Sequence, residues 1–144
     1  MRVKARAAEV RLRVSPATHA KGPAEATSLS SEDGSPAILA TSRLVALMEL
    51  AAARRMNPHL RDGESSVALS MNVTHVARTS VSGLVRAVAT PGSISGRIHR
   101  FTIHAFDETG LIGSAEHTRA VVVEKKLLAV AHRRAGQPSL SQDF

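Results

Sequence analysis

The chain has 144 residues, 43% of them hydrophobic, with no cysteine, tryptophan or tyrosine and only three phenylalanines. This length suits one ordinary domain whose core is built from Val, Leu, Ile, Ala and Met, and the missing cysteine excludes disulfides, thiolate nucleophiles and Cys-ligated zinc. The net charge of +7 suggests nucleic acid as a partner, but stacking aromatics are nearly absent, no nucleic-acid-binding motif appears, and a positive surface serves equally to attract a polyphosphorylated small molecule.

The N-terminal MRVKARAAEVRLRV is basic but lacks an apolar h-region, so it does not read as a secretory signal. No run approaches the ~18 apolar residues of a membrane span. The expectation is a cytoplasmic protein that binds neither nucleic acid nor membrane. Ala8 to Val14 sets Val10, Leu12 and Val14 against Glu9, Arg11 and Arg13 and reads as a first strand. Ser15 to Ser35 is rich in Ser, Pro, Gly, Ala and Thr and reads as a long loop, of the kind that serves as a lid or binding segment.

Thr41 to about Arg55 predicts a helix, with Thr41 or Ser42 placed to cap it and Asn57 and Pro58 to end it. Its run Leu44 to Ala53 holds one charge in ten residues, Glu49, and is apolar nearly all round, which predicts cover on most sides. A carboxylate there loses hydration unless it is paired, and such groups are candidates for acid–base work. The alternative is a wet helix edge where Glu49 lies beside Arg54 or Arg55.

From Gly63 the pattern turns to strands. Val67, Leu69, Met71, Val73 and His75 alternate with Ala68, Ser70, Asn72 and Thr74 over nine residues, which predicts one half-buried strand, Ser65 to Ala77. His75 ends its apolar face, at the core or the rim of a pocket. Thr79 to Gly83 is a turn, and Leu84 to Thr90 begins another strand. Pro91, Gly92 and Gly96 mark a bend. Arg97 to Phe106 alternates again, Asp107 to Gly110 is a hairpin turn, and Leu111 to Glu124 is the last strand. From His132 the polar chain reads as a frayed tail. No histidine pair has the spacing of a metal site. The fold class is α+β: a curved antiparallel sheet wrapped round one apolar helix, in a single domain spanning residues 1–144.

Four marks come in order: a Thr opening the helix (Thr41), a Met-Glu pair inside it (Met48, Glu49), His-x-Ala-x-Thr ending the long strand (His75, Ala77, Thr79), and a glycine followed by His-x-Arg in the last strand (Gly113, His117, Arg119). With the segments ATSRLVALMELAA, SSVALSMNVTHVARTSVSGLV and GRIHRFTIHAFDETGLIGSAEHTRAVV, the chain resembles the hot-dog fold thioesterases, and most closely the fluoroacetyl-CoA thioesterase-like group. The resemblance implies a hot-dog fold, pairing of two subunits through their sheets into a homodimer with tetramers as a further possibility, and hydrolysis of an acyl-CoA. Coenzyme A is then part of the substrate, and no separate cofactor is implied. The family's catalytic threonine, glutamate and histidine fall on Thr41, Glu49 and His75, and its last-strand arginine on Arg119, which serves either a CoA phosphate or an ion pair. Met48 and Met71 are expected near the substrate.

Two departures stand out. A glycine that the family places near the acyl carbonyl is Ala68 here, and the segment Ser30 to Leu39 lacks the phenylalanine that closes the fluoroacetate pocket. Fluoroacetyl-CoA is therefore not the expected substrate, and the Ala68 departure leaves a non-catalytic hot-dog protein binding acyl-CoA or another small ligand as the alternative. Thr41 supplies either a nucleophile with His75 as its base or a helix cap. Eight residues of helix separate Thr41 from Glu49 by about 12 Å, so both cannot touch one His75 unless the first turn is bent or the site is shared between subunits. A site dependent on the dimer is the expectation.

Overall fold

Alternation builds the sheet. On one face of successive strands Val85, Ala87 and Ala89, then Phe101, Ile103 and Ala105, then Ala115, His117 and Arg119 are buried. The structure, a computed structural model, describes residues 8–14 and 38–137; the segment 15–35 read as a loop or lid lies outside the described residues. The described elements are β1 (Ala8–Arg13), α1 (Thr41–Met56), a single 3-10 turn (Asn57–His59), β2 (Glu64–His75), β3 (Leu84–Ser95), β4 (Ile98–Asp107), β5 (Gly110–Val123) and α2 (Glu124–Ala135). The five strands form one antiparallel sheet in the order β1-β3-β4-β5-β2. It curls about α1, as the α+β reading expects.

Helix α1 forms because Leu, Met, Ala and Arg dominate its sequence. It buries Leu44, Leu47, Met48, Ala51, Ala52 and Met56, and each large side chain contributes about 1.5–3 kcal/mol on burial. Its cover is one-sided: Leu50 is 40% exposed and Ala46 is exposed, so the helix is less enclosed than its composition predicts. Pro58 follows in the 3-10 turn that ends it.

Three features differ from the sequence reading. In β2 the pairing with β5 shifts between Ala68 and Ser70. The extra residue, Leu69, is 54% exposed, so the nine-residue alternation breaks there, as a bulge requires. In β3 the strand continues through Pro91 to Ser95 because a second irregularity, between Pro91 and Ile94, accommodates the missing N–H. The turn comes at Gly96, with φ +59°, a conformation that favours glycine. Beyond β5 the chain forms α2, whose last turn contains His132, Arg133 and Arg134. The residues from His132 to Ala135 are thus helix rather than tail, and the rest of the expected tail, 138–144, lies outside the described residues. Lys, Leu, Ala and Arg fill this helix, and basic side chains suit its C-terminus. No residue of α2 is buried. Among the described residues no helix is long and apolar enough to cross a membrane.

Candidate active site

A short clamp sets the start of α1 against the end of β2. Ile38 bridges Ser80, and the Leu39 N–H donates to the Thr79 carbonyl at 2.8 Å. Thr79 is itself buried, and its hydroxyl donates to Asp107 in the β4–β5 turn at 2.8 Å. The N–H groups of Val76 and Ala77 donate to the Ile112 carbonyl at 2.8 and 3.2 Å. The threonine of the His-x-Ala-x-Thr series is thus an anchor, joining the helix start and the hairpin turn to the loop that leaves His75.

The clamp brings Thr41 and His75 together within one chain, with Thr41 Oγ1 at 2.9 Å from His75 Nδ1. Thr41 is not a cap. Ala40 takes the N-cap position, no side chain caps the helix, and Thr41 is its first residue. Its hydroxyl is turned toward the imidazole instead. Arg78 approaches the same oxygen, with Nη1 donating to Thr41 Oγ1 at 3.4 Å. Arginine only donates, so the threonine oxygen accepts from Arg78 and its proton is free for His75 Nδ1. His75 Nε2 is buried and has no hydrogen-bond partner among the described residues. Burial holds the His75 imidazole below its ordinary value of 6.5; the Arg78 charge adds to this and the Ala77 backbone opposes it. The ring is neutral at pH 7 and ready to accept a proton.

Glu49 is half-buried and belongs to a different group. Its charge reaches His117 and Arg119 on β5, rather than serving a helix edge beside Arg54 or Arg55. His117 and Arg119 are 1% and 6% exposed. His117 Nδ1 donates to the Ser70 carbonyl at 2.7 Å, which leaves Nε2 to accept from Arg119 Nη1 at 3.3 Å. Arg119 also donates from Nε to Ser66 Oγ at 3.0 Å and from Nη2 to the Ser66 carbonyl at 2.9 Å. Burial lowers the His117 pKa, which the hydrogen bond to Ser70 opposes, while the Arg119 charge lowers it further and Glu49 raises it. The neutral tautomer fits both of its partners.

The residues expected around the substrate separate accordingly. Arg119 is held inward by Ser66 and His117, which favours a structural charge network over a phosphate hand on the surface. Met48 is fully buried in the core. Met71 lines a small cleft of about 190 Å³ with Ser70, His117 and Thr118. Ala68 is exposed, at the bulge opposite Arg119. His117 and Arg78 carry more of the site than their sequence setting indicated. The shared strand face of His117 and Arg119 is the signal for the first, and a charge inside an otherwise small-residue loop is the signal for the second. Among the described residues, no group of three or more His, Asp or Glu side chains converges to hold a metal.

Residues 23–125 match the model of the fluoroacetyl-CoA-specific thioesterase family. The chain is 36% identical over 99 residues to the fluoroacetyl-CoA thioesterase of Streptantibioticus cattleyicolor, covering 69% of this chain and 71% of that one. A solved structure of a fluoroacetyl-CoA thioesterase with serine in place of a threonine, in complex with acetyl-CoA, superposes with a TM-score of 0.82 at 31% identity, over 93% of this chain and 98% of that one. A thioesterase superfamily member from Thermus thermophilus shares the fold, with a TM-score of 0.81 at 23% identity over 90% of each chain.

Proposed function

The chain belongs to the fluoroacetyl-CoA-specific thioesterase family, and from that membership we propose that it hydrolyses acyl-CoA thioesters to a free acid and coenzyme A, using Thr41, His75 and Glu49. The observation that carries this reading is the 2.9 Å contact between Thr41 Oγ1 and His75 Nδ1, a nucleophile already on its base. Thr41 attacks the thioester carbonyl while its proton passes to His75. The C–S bond breaks, the thiolate takes that proton, and an acyl-threonine ester remains. Water, deprotonated by His75, then releases the acid and restores the hydroxyl. At the start of α1 the N–H groups of Arg43 and Leu44 donate to the Ala40 carbonyl at 3.0 and 3.1 Å, while those of Thr41 and Ser42 precede the helical ladder and are available to the oxyanion.

Glu49 acts from a second subunit in this reading. Within one chain its charge serves His117 and Arg119, about 12 Å along the helix from Thr41. The long edge strand β2, with Leu69 exposed at its bulge, is the surface through which a homodimer forms, since an uncovered edge invites strand pairing. The basic surface attracts the phosphates of coenzyme A. Without an aromatic side chain between Ser30 and Leu39, the preferred acyl group is not fluoroacetyl. A cysteine-free chain suits the reducing cytoplasm.

Free-thiol release from acetyl-, isobutyryl-, benzoyl- and palmitoyl-CoA tests the proposal. Thr41→Ala, His75→Gln and Glu49→Gln are each expected to lower kcat by at least ~100-fold, the range of acid–base groups, with folding intact. A folded native protein that turns over none of the four is a ligand-binding hot-dog protein instead.

A further inference from the structure

Arg78 brings a positive charge to the oxygen of Thr41. We propose that Arg78 is a catalytic residue of the thioester reaction, holding the Thr41 oxygen and then the tetrahedral oxyanion that forms beside it. This rests on Thr41 acting as the nucleophile.

Four observations carry the assignment. The first is the donor geometry: Nη1 lies 3.4 Å from Oγ1, a long contact to a neutral hydroxyl. Such contacts tighten as charge develops, so the interaction gains more in the transition state than in the ground state. The second is availability. Arg78 is exposed, and among the described residues no carboxylate lies within ion-pair distance of it, whereas Arg11 and Arg86 pair with Glu9 and Arg97 with Glu64. Among the described residues its other N–H donors meet no acceptor, and they can reach a substrate oxygen. Third, the backbone that carries it is held on both sides, by Ala77 on Ile112 and by Thr79 on Leu39 and Asp107. The fourth is electrostatic reach, since the guanidinium is the charge that acts on His75.

The step balances without a further reactant. As Oγ1 bonds to the carbonyl carbon, its proton moves to His75 Nδ1 and the carbonyl π pair moves onto oxygen, giving an oxyanion one bond angle from Oγ1. The fork of Arg78 spans both oxygens, as bidentate donors do. Collapse of the oxyanion re-forms the carbonyl and expels the thiolate, which takes the proton from His75. Around His75 the groups in place are Thr41 on α1, whose first turn also carries Arg43, Gly113 opposite on β5, and Ala77 and Arg78 in the following loop. Glu49 acts on His117 and Arg119 instead.

The test compares the native chain with Arg78→Ala, Arg78→Lys and Thr41→Ala on the fastest of the four acyl-CoAs named above, with kcat, KM and the acid limb of the pH profile measured for each. Arg78→Ala is expected to lower kcat about 100-fold, as loss of an oxyanion donor does, with KM little changed, and to move the acid limb up toward the ordinary histidine value. Arg78→Lys keeps the charge, so the acid limb stays near the native position while kcat recovers only in part. An active native chain, an inactive Thr41→Ala variant and an unaffected Arg78→Ala variant would overturn the role of Arg78 alone. A rise in KM at constant kcat in Arg78→Ala also overturns it, by making Arg78 a substrate-binding cation. Activity retained in Thr41→Ala removes this assignment while the chain stays a thioesterase, and no activity in the native chain removes the thioesterase reading and this assignment together.

Discussion

Gly113 links packing to chemistry, and Gly113→Ala tests that link. The residue lies opposite His75 in the β2–β5 register and beneath the first turns of α1. A Cβ there would stand 3.0 Å from the Thr74 carbonyl oxygen, 3.1 Å from Leu44 Cδ2 and 3.6 Å from Met48 Cε. The side-chain ends of Leu44 and Met48 have some room to turn, but the Thr74 carbonyl is backbone in a paired strand. Overpacking of this kind costs about 1–3 kcal/mol, and replacing glycine returns about 0.4–1 kcal/mol through the unfolded chain. The net expectation is a loss of about 1–2 kcal/mol. At roughly 2–4 °C per kcal/mol for a chain of this size, Tm falls by about 2–8 °C in thermal denaturation. Thr74 precedes His75 and Leu44 lies one turn after Thr41, so the same methyl pushes both partners of the 2.9 Å contact. A 1 Å misplacement costs up to ~100-fold in rate; a shift of a few tenths of an ångström predicts roughly a tenfold drop in kcat for thiol release. Leu44→Val in the same chain relieves one clash, so the two substitutions together cost less than their sum. Unchanged Tm and unchanged kcat in Gly113→Ala would refute the reasoning.

Both His75 and His117 are held below 6.5, chiefly by burial. Between the folded and unfolded values the unfolded chain binds more protons, so stability is full above about pH 6.5 and falls as pH drops through the depressed values. Urea midpoints between about pH 5 and 7 are expected to fall on acidification and the acid limb of kcat/KM to lie below 6.5; midpoints that rise on acidification contradict this. Arg119→Met leaves His117 Nε2 and the Ser66 carbonyl without their donor and is expected to cost about 2–4 kcal/mol, read by urea denaturation; a loss under about 0.5 kcal/mol, the range of ordinary surface substitutions, would show that the network is not structural. Leu69→Glu on the exposed bulge of β2 is expected to halve the mass measured by sedimentation and to lower kcat at least tenfold through the loss of Glu49 from the shared site, and a fully active monomer would rule that site out.

Local pattern made the sheet and the main helix legible. The inward series Phe101, Ile103 and Ala105 was readable because period two needs only neighbours along the chain, and the Asp107–Gly110 turn because its residues bond one another. The bulge at Leu69 was not readable, because it is a property of the β2–β5 pairing and nothing in the alternation marks it. Helix α2 was missed although Leu127, Leu128, Val130 and Ala131 fall at helical spacing, because that stretch is short, flanked by basic residues and buries none of its side chains.

The site shows the same division between local and long-range information. The helical rise separates Thr41 from Glu49 by about 12 Å, so contact of both with one His75 required a bent first turn or a second subunit. Which of them meets the imidazole depends on the bridge between Ile38 and Ser80, residues far apart in the chain. That bridge gives Thr41 to His75 and leaves Glu49 facing His117 and Arg119. Both ring nitrogens of His117 are occupied, one by the Ser70 carbonyl and one by Arg119, which fits a support, and the proposed reaction leaves the part of the base to His75. The carboxylate and the nucleophile then stand at separate stations on one helix. In the proposed homodimer, a partner copy joined along β2 supplies the carboxylate that the Thr41–His75 pair lacks within one chain.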